Sequence, residues 1–264
     1  MNTREPHIAL SIKDLSIGYA SKKERIAISS KIDFDLNQGE LIAIVGVNGI
    51  GKSTLLRTLG NVQPKLSGSI DVKGKSLESY RSYELATEIS LVLTEPIASK
   101  NLTVLELICL GRQPYTNWLG SLSQTDKEKI TAAIEMVRLE ELQHKKCYEL
   151  SDGQLQKVMI ARAVAQDTSI MLLDEPTTHL DLYHKAQILK LLQQIAHTTN
   201  KTIVYTTHEI ELGLQLADKM LLMKKGETSF GTPKQLIENG EFESMFPTDT
   251  ITFDPKTASF KINK

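Results

Sequence analysis

The sequence predicts an α/β fold: a parallel sheet at the core, an antiparallel β subdomain at the N-terminus, and a helical subdomain inserted between two strands of the sheet. Three observations carry this reading. LIAIV (41–45), ISLVL (89–93), SIMLL (169–173) and TIVYT (202–206) are near-continuous apolar runs, as strands buried on both faces of a parallel sheet are. Helical patterns alternate with these runs, the order that builds a parallel sheet with crossover helices. The N-terminal stretch instead alternates apolar and polar residues, which marks half-buried antiparallel strands.

Taken in order, Ile8, Leu10 and Ile12 point one way, followed by Leu15 and Ile17, then Ile32, Phe34 and Leu36. Gly39-Glu40 introduces the buried run 41–45. Three patterns have the spacing of helix-start capping boxes: Thr103-x-x-Glu106, Thr125-x-x-Glu128 and Ser151-x-x-Gln154. The first helix is expected over 104–110, stopping by Gly111-Arg112-Gln113-Pro114. The second carries Ile130, Ala133, Ile134 and Val137 at helical spacing, and the third runs from about 152 to 166. Residues from about 96 to 164 are therefore mostly helical. KMLLMKKGETSFG (219–231) reads as a hairpin turning at Lys225-Gly226, and a small terminal hairpin is expected from Thr250 to Phe253 and Ser259 to Ile262.

Composition narrows the function classes. At about 150 residues per domain, 264 residues fit one lobed α/β domain or two smaller ones. With 41% hydrophobic and 24% charged residues, the chain is globular rather than disordered. A net charge of −1 leaves no bulk positive field to hold nucleic acid. Cys109 and Cys147 form neither a disulfide framework nor a common metal spacing, and are expected as reduced thiols. MNTREPHIAL has no apolar signal region, and runs such as Leu41 to Val45 fall far short of the ~20 residues of a membrane span.

The chemistry concentrates at strand ends. Gly46-Val47-Asn48-Gly49-Ile50-Gly51-Lys52-Ser53 fits G-x-x-x-x-G-K-[ST], between a buried strand and an amphipathic helix, and continues into Thr54. Its glycines let backbone N–H groups wrap a phosphate, and the helix N-terminus adds its positive dipole end. Lys52 supplies a charged bond to β- and γ-phosphates, and the Ser53 hydroxyl is a ligand for Mg²⁺. Asp174-Glu175-Pro176 ends another buried strand, in the crevice where such sheets bind ligands. Asp174 can hold Mg²⁺ through water, and Glu175 can orient or deprotonate an attacking water. Pro176 is expected to keep Glu175 extended.

Three more segments complete a pattern: Leu150-Ser151-Asp152-Gly153-Gln154, the run from Leu173 through Asp174, Glu175, Pro176, Thr177, Thr178, His179 and Leu180 to Asp181, and Thr207-His208-Glu209. In order and spacing they resemble the signature, Walker B with D-loop, and switch histidine of ATP-binding cassette (ABC) proteins, across about residues 8 to 235. Gly111-Arg112-Gln113-Pro114 and the form Thr177-Thr178-His179-Leu180-Asp181 look most like ATPase subunits of bacterial iron-chelate, haem and cobalamin importers.

The resemblance implies a P-loop NTPase core. It implies one nucleotide-binding domain over 1–264: catalytic core and β subdomain at about 8–95 and 165–235, helical subdomain at about 96–164, extension at about 240–264. It implies ATP and Mg²⁺, with Tyr19 stacking on adenine or else packing locally. Ser151, Asp152, Gly153 and Gln154 would meet the γ-phosphate bound to a second copy, so that a homodimer sandwiches two ATP. Asp152 replaces the usual glycine and is inferred to point away from phosphate. Asp181 is the D-loop residue, and His208 would bond the γ-phosphate. Glu95 takes the place of a glutamine that serves Mg²⁺ and catalysis, with Thr94 the other choice and Pro96 fixing the backbone beside it.

Implied partners are two integral-membrane permease subunits and, indirectly, a periplasmic or surface substrate-binding protein, with no nucleic acid. The implied place is peripheral, at the cytoplasmic face of the inner membrane. Trp118, the lone tryptophan, either anchors the permease interface or packs within its own subdomain. The alternatives are an exporter ATPase, a non-transport ABC ATPase of translation or DNA repair, and a P-loop kinase. The signature has no job in a kinase, and the chain lacks the second cassette or heptad insertion usual in the non-transport group.

Overall fold

The structure, a computed structural model, describes residues 7–21, 24–95, 99–246 and 249–263. Two long strands, β1 (Ile8–Ala20) and β2 (Arg25–Asn37), pair antiparallel. β3 (Leu41–Gly46) is buried along its whole length and leads into α1 (Lys52–Leu59). β4 (Ser67–Val72) returns to pair with β1 and carries β5 (Lys75–Ser76), so the first sheet runs β2-β1-β4-β5. The short helix α2 (Ser82–Leu85) precedes β6 (Ile89–Val92).

Three helices follow: α3 (Val104–Cys109), α4 (Gln124–Val137) and α5 (Asp152–Ala165), with a 3₁₀ turn over Leu110–Tyr115. The chain then builds β7 (Ile170–Leu173), α6 (Leu182–Thr199), β8 (Thr202–Thr207), α7 (Ile210–Leu216), β9 (Lys219–Lys224), β10 (Glu227–Gly231) and α8 (Pro233–Glu238). The tail forms a two-stranded hairpin, β11 (Ile251–Asp254) and β12 (Ser259–Ile262).

The second sheet has the order β10-β9-β3-β8-β7-β6. All of its pairings are parallel except the β9–β10 hairpin. β3 alternates between two apolar layers. Ile42 and Ile44 pack with the first sheet and with Leu55, Leu56 and Leu59 of α1. Leu41, Ala43 and Val45 face the layer of α5, α6 and the helical subdomain. The consequence for function is directional: β3, β6, β7 and β8 all end at one edge of the sheet, delivering Gly46, the segment to Glu95, Asp174 and His208 to the same place.

Three local expectations are corrected. Ile8 is 46% exposed while Ala9 and Leu10 are both buried, because a register shift between Ile8 and Leu10 breaks the alternation. α4 does not start at a Thr125–Glu128 box. Its cap is Ser123, whose hydroxyl accepts from Asp126 N, with Asp126 reaching back to Ser123 N at 2.8 Å. Glu175 is not extended but lies in the left-handed region at φ +46. The turn closed by Thr178 N onto Glu175 O (3.2 Å) overrides the preference imposed by Pro176. Both other capping boxes, the hairpin at Gly226 and the terminal hairpin form as expected. Among the described residues no helix is long and apolar enough to cross a membrane.

Candidate nucleotide site

The loop after β3 is shaped by close backbone approach. A Cβ on Gly46 would lie 2.5 Å from Met223 O, and one on Gly51, at φ +109, 2.5 Å from Ile28 Cγ2. Only glycine fits both positions. The helix that follows, α1, has no side-chain cap and no acidic residue in its first turn. α3, α4, α5, α6 and α8 each have a capping side chain. The α1 N-terminus is thus left open, with its dipole end and unspent N–H groups available to an anion.

Lys52, the first residue of α1, is buried. Its ammonium donates to Gly46 O at 2.9 Å and Val47 O at 3.3 Å, and lies 3.3 Å from His208 Nδ1. Burial lowers its pKa, opposed by the charges of Glu175 and Asp174. An ammonium has no lone pair, so Nδ1 of His208 accepts. The imidazole proton then sits on Nε2, which donates to Glu175 Oε1 in a short bond.

The carboxylates are linked to this lysine by a closed set of hydrogen bonds. Ser53 Oγ donates to Asp174 Oδ1 at 2.8 Å, and Thr206 Oγ1 donates to the same oxygen at 2.7 Å. Thr206 Oγ1 accepts from Glu175 N at 2.8 Å, and Thr178 Oγ1 donates to Glu175 Oε2 at 3.0 Å. Thr206 was no sequence candidate, yet it fixes both carboxylates. Its signal is a hydroxyl inside a fully buried strand, where an unpaired polar group would be costly.

Two cavities meet here. One of about 390 Å³ is lined by Tyr19, Asn48, Lys52, Ser53, Glu175 and His208, among others. Tyr19 is 56% exposed, and its hydroxyl lies 3.5 Å from Thr54 Oγ1. Val47 is exposed and Ile50 half-buried on the same loop. The other cavity, about 260 Å³, runs past Glu95, Lys100, Asp152, Asp174 and Thr178. Glu175 lines both.

The remaining candidates lie farther along. Ser151 caps α5, accepting from Gln154 N at 3.3 Å, while Gln154 Oε1 accepts from Ser151 N at 3.0 Å. Asp152 faces the second cavity, and Gly153 abuts Leu180 and His184. Asp181 caps α6, accepting from His184 N at 2.9 Å, and these bonds hold its carboxyl below the usual range. Among the described residues Glu95 makes no hydrogen bond to Ser53 or Asp174; its Oε1 accepts from Arg57 Nη2 at 3.0 Å. Pro96 lies outside the described residues. A further link missed in the sequence is the Lys185–Glu209 ion pair, which ties α6, just after Asp181, to the residue following His208.

The donors fit a nucleotide with Mg²⁺. Ser53 and Asp174 place two hard oxygens side by side, and among the described residues no group of three His, Cys, Asp or Glu forms a self-sufficient metal cage. That is the pattern Mg²⁺ uses, binding through one or two protein oxygens and substrate phosphates.

Comparison with known proteins agrees. Residues 29–178 match the model of a family described as ABC transporter. The chain is 32% identical to the iron(3+)-hydroxamate import ATP-binding protein of Bacillus subtilis, covering 94% of this chain and 92% of that one. It superposes on a solved structure assigned as a metal-chelate type ABC transporter in an inward-facing conformation, with a TM-score of 0.78 and 30% identity. That alignment covers 96% of this chain and 95% of that one. A dimeric ATP-binding cassette in a post-hydrolysis state with ADP and Pi aligns at TM-score 0.72 and 27% identity, over 85% of this chain and 98% of that one.

Proposed function

The chain belongs to the ABC transporter family and is an ATP-binding cassette ATPase, and from that premise we propose that it drives an importer for ferric siderophore, haem or cobalamin. In this reading two copies sandwich two ATP beneath two membrane permease subunits. A periplasmic or surface binding protein delivers the cargo, and the ATPase sits at the cytoplasmic face of the membrane. The single observation that carries the reading is the closed set Lys52–His208–Glu175–Thr206–Asp174–Ser53 at the edge of the sheet. The import assignment is supported by the hydroxamate-import relative, and the dimer by the dimeric cassette.

This reading gives each residue of the site a role. The loop 46–54 and the open α1 N-terminus bind the phosphates, with Lys52 leaving its two carbonyl partners for them. Tyr19 offers an exposed ring to the base. Ser53 and Asp174 would hold Mg²⁺, which would supply positive charge against the developing phosphate charge. Glu175, oriented by Thr206, Thr178 and His208, takes the proton of the attacking water. His208 holds Glu175 and can turn its Nε2–H to the γ-phosphate. Ser151 and its neighbours at the α5 N-terminus serve the partner copy's nucleotide.

Glu175→Gln keeps the shape and loses the base, so ATP should still bind while turnover falls about 10²–10⁴-fold. The variant should accumulate as a dimer on saturating Mg-ATP, and adding Ser151→Arg should abolish that dimer. A Glu175→Gln protein that remains monomeric by light scattering rejects the sandwich. Growth of a deletion strain, freed of redundant importers, on each chelate as sole iron or corrinoid source tests the cargo.

A further inference from the structure

Arg57 lies in the last turn of α1, four residues after Ser53 and so on the same face of that helix. Ser53 uses this face to reach Asp174, and Arg57 uses it to reach Glu95. Glu95 lines the same cavity as Asp174 and Glu175, in which Lys100 is the only cationic lining residue among those described. The Glu95 side chain is 66% exposed and is held at 3.0 Å by Arg57 Nη2. Among the described residues the Arg57 Nε is buried with no hydrogen-bond partner. An exposed carboxylate bordering a cation site, restrained by a cation one helical turn from that site, has two competing partners once a divalent ion arrives.

We propose that Arg57 is a positioning residue that withholds Glu95 from the divalent cation at Ser53 and Asp174, so that the Arg57–Glu95 pair sets the Mg²⁺ concentration at which nucleotide binds. This rests on the Mg-ATP reading of the site. An exposed ion pair is weak, so Mg²⁺ can break it, and the effect of releasing Glu95 is modest and measurable. The pair also spans the P-loop helix and the segment leaving β6, so metal binding loosens one contact between the nucleotide core and the entry to the helical subdomain.

The test is a Mg²⁺ titration of the binding of a non-hydrolysable ATP analogue, read calorimetrically with an EDTA reference. It is run on the parent, Arg57→Gln, Glu95→Gln and the double variant. Arg57→Gln should lower the half-saturating Mg²⁺ by about two- to fivefold, the range of exposed ion-pair energies. The same substitution in the Glu95→Gln background should produce a much smaller shift. Arg57→Lys keeps the charge and should track the parent, and melting temperatures verify that each variant folds. An equal shift in both backgrounds, or a higher Mg²⁺ requirement in Arg57→Gln, overturns the inference. A parent whose analogue affinity ignores Mg²⁺ altogether instead rejects the nucleotide–metal reading, and this inference falls with it.

Discussion

Thr206 joins the two acidic residues of the site through one hydroxyl, accepting from Glu175 N and donating to Asp174 Oδ1. Thr206→Val preserves shape and removes both bonds. It leaves Asp174 short of a donor and a buried N–H unpaired, which should cost about 1–3 kcal/mol of stability. Because Lys52 and the loop are untouched, ATP affinity should hold while kcat falls; a variant with parental kcat would show that Ser53 alone orients Asp174. At this scale the glycines, Lys52, Ser53 and the acidic pair were legible, since each sits within a few residues of a strand end with a recognisable spacing. Thr206 was not, because its partners lie just past the end of the neighbouring strand β7 and only the sheet register brings them together. Nor was the left-handed Glu175, since the rule for residues before proline does not see the turn that Thr178 N closes onto Glu175 O, nor the cross-strand bonds to His208 and Thr206.

Between α3 and α5 the turn Gly111-Arg112-Gln113-Pro114 proves to be a structural staple. A Cβ on Gly111 would meet Arg162 O at 2.2 Å, so glycine is required for the turn to lie against α5. Arg112 is buried, donating to Asp126 Oδ1 at 2.8 Å and to Ala165 O at 2.8 Å, with its guanidinium 3.9 Å from the Tyr115 ring centre. Ser123 and Arg112 together hold the Asp126 carboxyl below the usual carboxylate range. Removing one partner of a buried pair strands the other charge, so Asp126→Ala should destabilise the protein by about 3–5 kcal/mol. The sign with pH follows from the depressed pKa. The unfolded chain binds the proton first, so this contribution is present above about pH 4, the ordinary aspartate range, and is lost as pH falls through the folded value. Melting temperatures of parent and Asp126→Asn should therefore converge in acid; a constant gap between them would remove the pair from the acid response. Sequence spacing pointed to Thr125–Glu128 as the cap, and Ser123–Asp126 takes its place with Asp126 also neutralising Arg112. β4 escaped the sequence reading for a simpler reason: Ser67–Val72 has only two apolar residues, and its strand character comes from pairing with β1.

Across the whole molecule, the buried runs and their alternation with helices made the sheet legible, because a strand covered on both faces has nothing but apolar neighbours. The surface was less so. Trp118 is 91% exposed and Leu119 66% exposed, which removes the option that Trp118 packs in its own subdomain. The loop that presents them is ordered: Asn117 Oδ1 accepts from Leu119 N and Ser121 N, each at 3.1 Å. Near the opposite end of the chain, by contrast, the phenylalanine rings pack against one another. Phe242, Phe253 and Phe260 stack with ring centres 5.0 Å apart at each step, and Phe260 N donates to Glu211 of α7 at 3.0 Å. A tryptophan held out by its own loop and left 91% exposed fits a partner-facing anchor. Under the permease reading, Trp118→Ala should leave the melting temperature and the ATPase rate of the isolated chain unchanged, since nothing in the subdomain rests on the ring. It should weaken assembly with the permease subunits by about 2 kcal/mol, the loss typical of a central aromatic anchor. That would appear as a roughly 30-fold rise in the Kd for permease in detergent or nanodiscs. Unchanged affinity would place the permease contact elsewhere on the helical subdomain, whereas a fall in the melting temperature would mean that Trp118 supports its own fold after all.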